Sequence, residues 1–145
     1  MFTKILIPTD GSDLANKAAK SALEMAKLQG ASVVGVYVID PFPYIGLGEA
    51  SALGLQAYME EVQVAAQKAL TDIRTEAQAL GVRYQGDTIE RSATYEGILD
   101  TAEAEHCDLI VMGSHGRQGM KALILGSVTQ KVLTHSKLPV LVIKP

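Results

Sequence analysis

The sequence is poor in several features, and each shortage removes a class of protein. It holds one cysteine, Cys107, in 145 residues. No intramolecular disulfide can form, which fits a reducing compartment. No apolar run approaches the ~20 residues a helical membrane span requires. The opening stretch, residues 1–7, is too short an apolar run for a secretory signal and leads straight into a turn. The expected location is the cytoplasm. There is no excess of positive charge: 13 Lys and Arg stand against 16 Asp and Glu, a formal net charge of -3. Binders of nucleic acid or membrane surfaces usually carry a basic stripe, so neither is an expected partner. A phosphate-bearing ligand would have to be held by local geometry. The pattern G-x4-G-K-[S/T] is missing, which excludes a P-loop NTPase. No internal repeat, interdomain linker or low-complexity tract breaks the chain, so one domain over residues 1–145 is expected.

What is present is an ordinary globular composition, 48% hydrophobic and 20% charged, in a length that can enclose a core. Residues 3–9 (TKILIPT), 32–39 (SVVGVYVI), 108–112 (DLIVM) and 139–144 (PVLVIK) are near-continuous apolar runs rich in β-branched residues. Such runs predict strands covered on both faces, as in a parallel sheet. Residues 82–90 (VRYQGDTIE) alternate and are more polar, which predicts an edge strand. Helical periodicity fills the gaps. Over 12–29, Leu14, Ala18, Ala22, Met25 and Ala26 share a face, with Ser12 or Asp10 as the cap and Gly30 past the end. Over 51–80, Tyr58, Val62, Ala65, Ala69, Ile73, Ala77 and Leu80 step by threes and fours, and Gly81 closes the helix. Residues 93–105, preceded by Ser92, and residues 127–136, bounded by Pro139, are predicted as two more helices.

Strict alternation of strand and helix predicts an α/β fold: one doubly wound five-stranded parallel sheet with helices on both faces. The favoured strand order is 3-2-1-4-5. The chain then reverses direction between strands 1 and 4, and a ligand should lie outside their carboxyl ends, at Thr9-Asp10 and Met112-Gly113. Residues 40–50 (DPFPYIGLGEA) form the one long connection. A binding loop and a plain surface loop are both open for it.

The chemistry concentrates after the fourth strand. Gly113, Gly116 and Gly126 are followed by Ser127, which opens the last helix. The glycines allow a sharp turn and close backbone approach to a ligand. The helix start offers unsatisfied N–H groups and partial positive charge, a combination that holds phosphate. Several such hydrogen bonds, each about 1.5–3 kcal/mol to a charged group, outweigh a mild overall negative charge. Ser127 with Gln130 also forms a possible capping box that needs no ligand. Arg117 and Lys121 are placed near enough to assist a phosphate site, but a solvated loop is the preferred reading of both.

The spacing G-x2-G-x9-G-[S/T], filled without a gap by Gly113, Gly116, Gly126 and Ser127, is similar to the ATP-binding signature of the universal stress protein family. The opening KILIPTDGS and the ending KLPVLVIKP also resemble that family, so the resemblance spans essentially the whole chain. It implies an adenine nucleotide alpha-hydrolase-like fold. It also implies ATP as cofactor, with Mg2+ or Mn2+ bound through the phosphates and water. By position, Asp10 matches the acidic residue near the adenosine end, flanked by Pro8 and Thr9. Val38 matches a backbone contact to adenine, and Met112 and Gly113 the floor. Gly116, Gly126, Ser127 and Val128 match the ribose and phosphate contacts. A homodimer through strand 139–144 is expected for two reasons. The resemblance implies it, and the order 3-2-1-4-5 leaves the apolar run Val140 to Ile143 at an unpaired edge.

Other features carry less. His115 in the glycine turn is open to contacting phosphate or acting as a base, and is read first as ordering the loop. His106 and His135 are placed at the surface, not at metal-ligand spacing. Cys107 is read as a buried, inert thiol. The leading function is a nucleotide-binding stress or signalling module. Slow ATP hydrolysis or phosphoryl transfer, a nucleotide-free scaffold, and a flavodoxin-like redox domain are the alternatives. No residue stands out as a positioned general base.

Overall fold

A computed structural model describes residues 1–41, 49–117 and 125–145. Five strands, β1 (Lys4–Pro8), β2 (Ser32–Ile39), β3 (Tyr84–Glu90), β4 (Leu109–Gly113) and β5 (Val140–Ile143), alternate with four helices. The helices are α1 (Asp13–Gln29), α2 (Glu49–Leu80), α3 (Thr94–Ala104) and α4 (Ser127–His135). The strands form one sheet in the order β3-β2-β1-β4-β5, with each neighbouring pair parallel. The expected order and the edge position of β3 are what the structure shows.

Period-two alternation divides the apolar runs between two cores. Ile5, Ile7, Val33, Leu109 and Val111 pack under Ala18, Ala22, Leu23 and Ala26 of α1 and Ile73 and Ala77 of α2. Leu6, Val34, Val36, Ile110 and Met112 face the other way, against Ile98 and Ala102 of α3 and Val132 of α4. Leu6 and Ile110 are fully buried, and truncation of such a residue to alanine costs about 2–5 kcal/mol. The small alanines of α1 bring its backbone close to the sheet. That closeness matters because α1 starts beside the carboxyl end of β1.

Helix ends follow local chemistry where no tertiary partner competes. Ser12 caps α1 by accepting the Ala15 N–H at 3.2 Å, and Gly30 closes it in the left-handed region. Helix α2 starts at Glu49, so the connection after β2 is shorter than the expected 40–50. Its residues 42–48 lie outside the described residues. Helix α3 starts at Thr94, one residue after the expected 93, and its N-cap is Ala93, with no side-chain hydrogen bond. The N-cap of α4 is Gly126, not Ser127, so no capping box forms. The physical reason is competition. The Thr129 hydroxyl donates to the Gly113 carbonyl at 2.9 Å, and the Gln130 amide donates to the Leu125 carbonyl at 3.1 Å. No described helix is long and apolar enough to cross a membrane.

Candidate functional site

The sheet reverses its winding between β1 and β4, and the strand ends open a crevice there. A cavity of about 470 Å³ lies in it, within the range of small-molecule sites. All ten residues singled out from the sequence line it: Pro8, Thr9, Asp10, Val38, Met112, Gly113, Gly116, Gly126, Ser127 and Val128. One end is apolar, floored by Val36, Val38, Ile98 and Met112; the other is bounded by the glycine loop and the start of α4.

Asp10 is fixed at the polar end. Its Oδ1 accepts the Ser12 N–H at 3.0 Å, and its Oδ2 accepts the Arg117 N–H. Burial pushes this carboxyl up. Hydrogen bonds from the hydroxyl and N–H of Ser12 and the N–H of Arg117, with the Arg117 guanidinium, outweigh that and hold it below its ordinary value. Asp10 is therefore an anion at neutral pH, with acceptor capacity left over.

Two glycines are dictated by this arrangement. Gly11, at φ 79°, turns the chain from β1 toward α1 in a conformation L side chains rarely adopt. Its N–H donates to the Thr9 hydroxyl at 3.1 Å. Gly116 is needed for closeness: a Cβ there would stand 2.5 Å from the Asp10 Oδ2. The carboxylate of one loop thus lies against the bare backbone of the other.

The remaining contacts pin the glycine loop to its helix. Ser114 is buried at 1% exposure. Its N–H donates to the Ile143 carbonyl at 2.8 Å, and its carbonyl accepts the Gly126 N–H at 2.7 Å. A Cβ on Gly126 would meet the His115 Cα at 3.1 Å. Because Gly126 carries no side chain, the first turn of α4 keeps its unsatisfied N–H groups for whatever occupies the cavity. Ser127 is exposed on that turn.

The structure adds Ala15, Val36, Thr94, Ile98, His115, Arg117 and Thr129 to the lining. Val36 was within reach of sequence reasoning, since it shares the strand face of Val38 two residues away. Thr94 and Ile98, one helical turn apart, depend on how α3 docks. That docking is set by Gly97, whose missing Cβ leaves room for the Val38 methyls at 2.8 and 2.9 Å. Arg117 lines the cavity, whereas Lys121 lies outside the described residues. His106 and His135 are exposed and are not among the residues lining this cavity. The latter stacks on Tyr95, with ring centroids 5.1 Å apart. Cys107 is buried, and burial pushes its thiol up to about 11, so it is a poor nucleophile. Among the described residues no three His, Cys, Asp or Glu side chains come together to hold a metal ion.

A family model described as the universal stress protein family matches residues 1–144. Universal stress protein MJ0531 of Methanocaldococcus jannaschii is 38% identical over 144 residues, covering 99% of this chain and 83% of that protein. The solved structure of protein MJ0577 is 33% identical with a TM-score of 0.82, covering 100% of this chain and 97% of that one. A universal stress protein from Archaeoglobus fulgidus, solved in complex with dAMP, shares the fold at a TM-score of 0.72. It is 24% identical and covers 98% of each chain.

Proposed function

The chain belongs to the universal stress protein family, and we propose that it is an ATP-binding module whose occupancy alters its conformation or its partners. The observation that carries this is the two-ended cavity: an apolar floor and the uncapped start of α4 meet across a fixed carboxylate. Adenine is a flat apolar body, and Val36, Val38, Ile98 and Met112 offer it a matching surface. Asp10 accepts hydrogen bonds from sugar hydroxyls. The amides of Ser127 and Val128 and the Ser127 hydroxyl receive phosphate oxygens, aided by the helix dipole. Mg2+ or Mn2+, when bound, neutralises phosphate charge, and its ligands are phosphate oxygens and water. A universal stress protein of the same fold has been solved in complex with dAMP, which supports an adenine nucleotide as the class of ligand.

Thr129, Ser114 and Asp10 keep the loop in place before a ligand arrives, which lowers the ordering cost of binding. Binding, not turnover, is the activity proposed. The chain acts as one domain, 1–145. We place it in the cytoplasm, where its free thiol persists. Strand β5 ends one edge of the sheet, and its residues Val140 to Ile143 are half-buried. Pairing with the same strand of a second copy would close that edge.

Mass spectrometry of gently purified, then denatured, protein tests the ligand class. Adenine nucleotide in the released fraction is expected, together with saturable ATP binding by calorimetry in Mg2+. A flavin, or no binding at millimolar ATP, overturns the proposal.

A further inference from the structure

We infer that Arg117 is a positioning residue: its guanidinium steadies the Asp10 turn against α2, and is not the phosphate ligand that a basic side chain in a glycine loop suggests. The inference rests on the nucleotide-binding function argued above. Arg117 borders the cavity, but three neighbours from separate elements place its guanidinium toward the α1 and α2 face of the sheet. Gly11, at the entry to α1, is the first: a Cβ there would stand 3.2 Å from the Arg117 Nη2. Ala69 of α2 is the second. Its Cβ lies 3.6 Å from that same point, and Ala69 is buried, so the turn, the guanidinium and α2 meet at one place. Tyr37 of β2 is the third. Burial pushes its phenol up, the charge of Arg117 pulls it back, and that of Asp10 pushes it up again. Val36 and Val38, on either side of Tyr37, line the cavity. The period of two turns Tyr37 to the opposite face, the one on which Val33 packs under α1 and α2.

The apolar floor of the cavity and helix α4 belong to the other face. An arginine held on the α1 side therefore acts on a nucleotide through Asp10. Its main-chain N–H donates to the Asp10 Oδ2, and its guanidinium charge helps to keep that carboxyl ionised. One residue of the loop after β4 thus supplies both a hydrogen bond and a charge to the carboxylate, while Ser12 holds the other oxygen from the start of α1. Without the guanidinium the backbone hydrogen bond remains, but nothing lies on Gly11, whose bare backbone is free to move. The sugar contact assigned to Asp10 then suffers, and the amides assigned to phosphate do not. That separates the two roles an arginine can have here. Adenosine and ATP share the sugar, and only ATP carries phosphate. Loss of a positioning arginine weakens both ligands alike, whereas loss of a phosphate ligand weakens ATP alone.

Arg117 is exposed, so water screens its charge and bounds the effect at about fivefold. The test compares the unaltered protein with Arg117→Gln at physiological ionic strength. ATP is titrated by calorimetry in Mg2+, and adenosine by NMR shift titration, which reaches millimolar constants. Both dissociation constants are expected to rise about three- to fivefold, with their ratio constant within about twofold. In an Asp10→Ala background, Arg117→Gln should change adenosine affinity by less than about twofold, since the group it positions is gone. Carbon-13 NMR of the side-chain carboxyls, without nucleotide, gives a readout that a purely structural role would not move. The Asp10 carboxyl is expected to titrate higher in Arg117→Gln, toward its ordinary range. A loss confined to ATP makes Arg117 a phosphate ligand and overturns the inference. Unchanged affinity for both ligands, an adenosine penalty that persists without Asp10, or an unmoved Asp10 titration overturns it as well, and in each case nucleotide binding itself stands. Absence of ATP binding by the unaltered protein removes the nucleotide function and this inference with it.

Discussion

Gly116→Ala puts one methyl group into the tightest contact of the cavity. The added Cβ would stand 2.5 Å from the Asp10 Oδ2, so one of the two must retreat by roughly 1 Å to reach ordinary van der Waals distance. The backbone of residue 116 is not in the left-handed region, so alanine brings no torsional penalty and the effect is steric. The carboxylate cannot retreat freely, because its oxygens accept the N–H groups of Ser12 and Arg117. A 3.0 Å hydrogen bond does not survive such a shift. Losing one charge-assisted hydrogen bond costs about 1.5–3 kcal/mol, and the displaced Asp10 leaves the place proposed for its contact to a nucleotide. The expected outcome is an ATP dissociation constant raised about ten- to a hundredfold, measured by calorimetry, with the circular dichroism spectrum unchanged. A double-mutant cycle isolates the cause. Asp10→Ala alone should weaken binding, and adding Gly116→Ala to it should weaken it no further than about twofold, since no carboxylate remains to collide with. Penalties that simply add, or a Gly116→Ala protein with unaltered affinity, would refute the reasoning.

Three further outcomes are expected. Ser127→Ala should weaken ATP by about ten- to a hundredfold through one lost hydrogen bond to a charged phosphate; calorimetry showing unchanged affinity would remove Ser127 from the phosphate site. Gly35→Ala should destabilise the fold by about 1–3 kcal/mol in urea titrations, with ATP affinity intact. The new Cβ would lie 2.6 Å from the Tyr84 hydroxyl, which donates to the Leu70 carbonyl at 3.0 Å; unchanged stability would contradict that contact. Asp10→Asn should cost stability at pH 7, and the cost should shrink as pH falls. The folded carboxyl lies below its unfolded value, so its contribution is present above about pH 4 and fades as pH drops through the lowered native pKa. Urea titrations at pH 7 and pH 3 that show an equal or larger deficit in acid would reverse the sign.

The fold was legible because the apolar runs of β1, β2 and β4 are covered on both faces and carry few polar residues, while β3 alternates as a sheet edge does. The ten proposed site residues, which line one cavity, came by separate routes. Gly113, Gly116, Gly126 and Ser127 stood out by spacing, Thr9, Asp10 and Met112 by lying at the strand ends where a doubly wound sheet opens, and Pro8, Val38 and Val128 only through the family resemblance. What escaped depends on contacts between distant segments. Thr94 and Ile98 reach the cavity because Gly97 lets α3 settle on Val38. The possible capping box at Ser127 does not form, because Gly126 is the N-cap of α4 and Thr129 and Gln130 find carbonyls at Gly113 and Leu125. The Tyr84 slot needs the register that sets Gly35 opposite Gly86, which no local pattern specifies. The clasp of Asp10 on Arg117 joins residues 107 apart in sequence; it explains why position 116 must be bare, a demand that spacing alone does not reveal.

A crystal structure grown with millimolar ATP and Mg2+ interrogates the arrangement atom by atom. Adenine should lie on Val36, Val38 and Met112, and phosphate oxygens should stand within hydrogen-bond distance of the Ser127 and Val128 amides, with Asp10 on the sugar. Nucleotide density anywhere else, or a polyphosphate held by surface lysines while the start of α4 keeps only water, would contradict it.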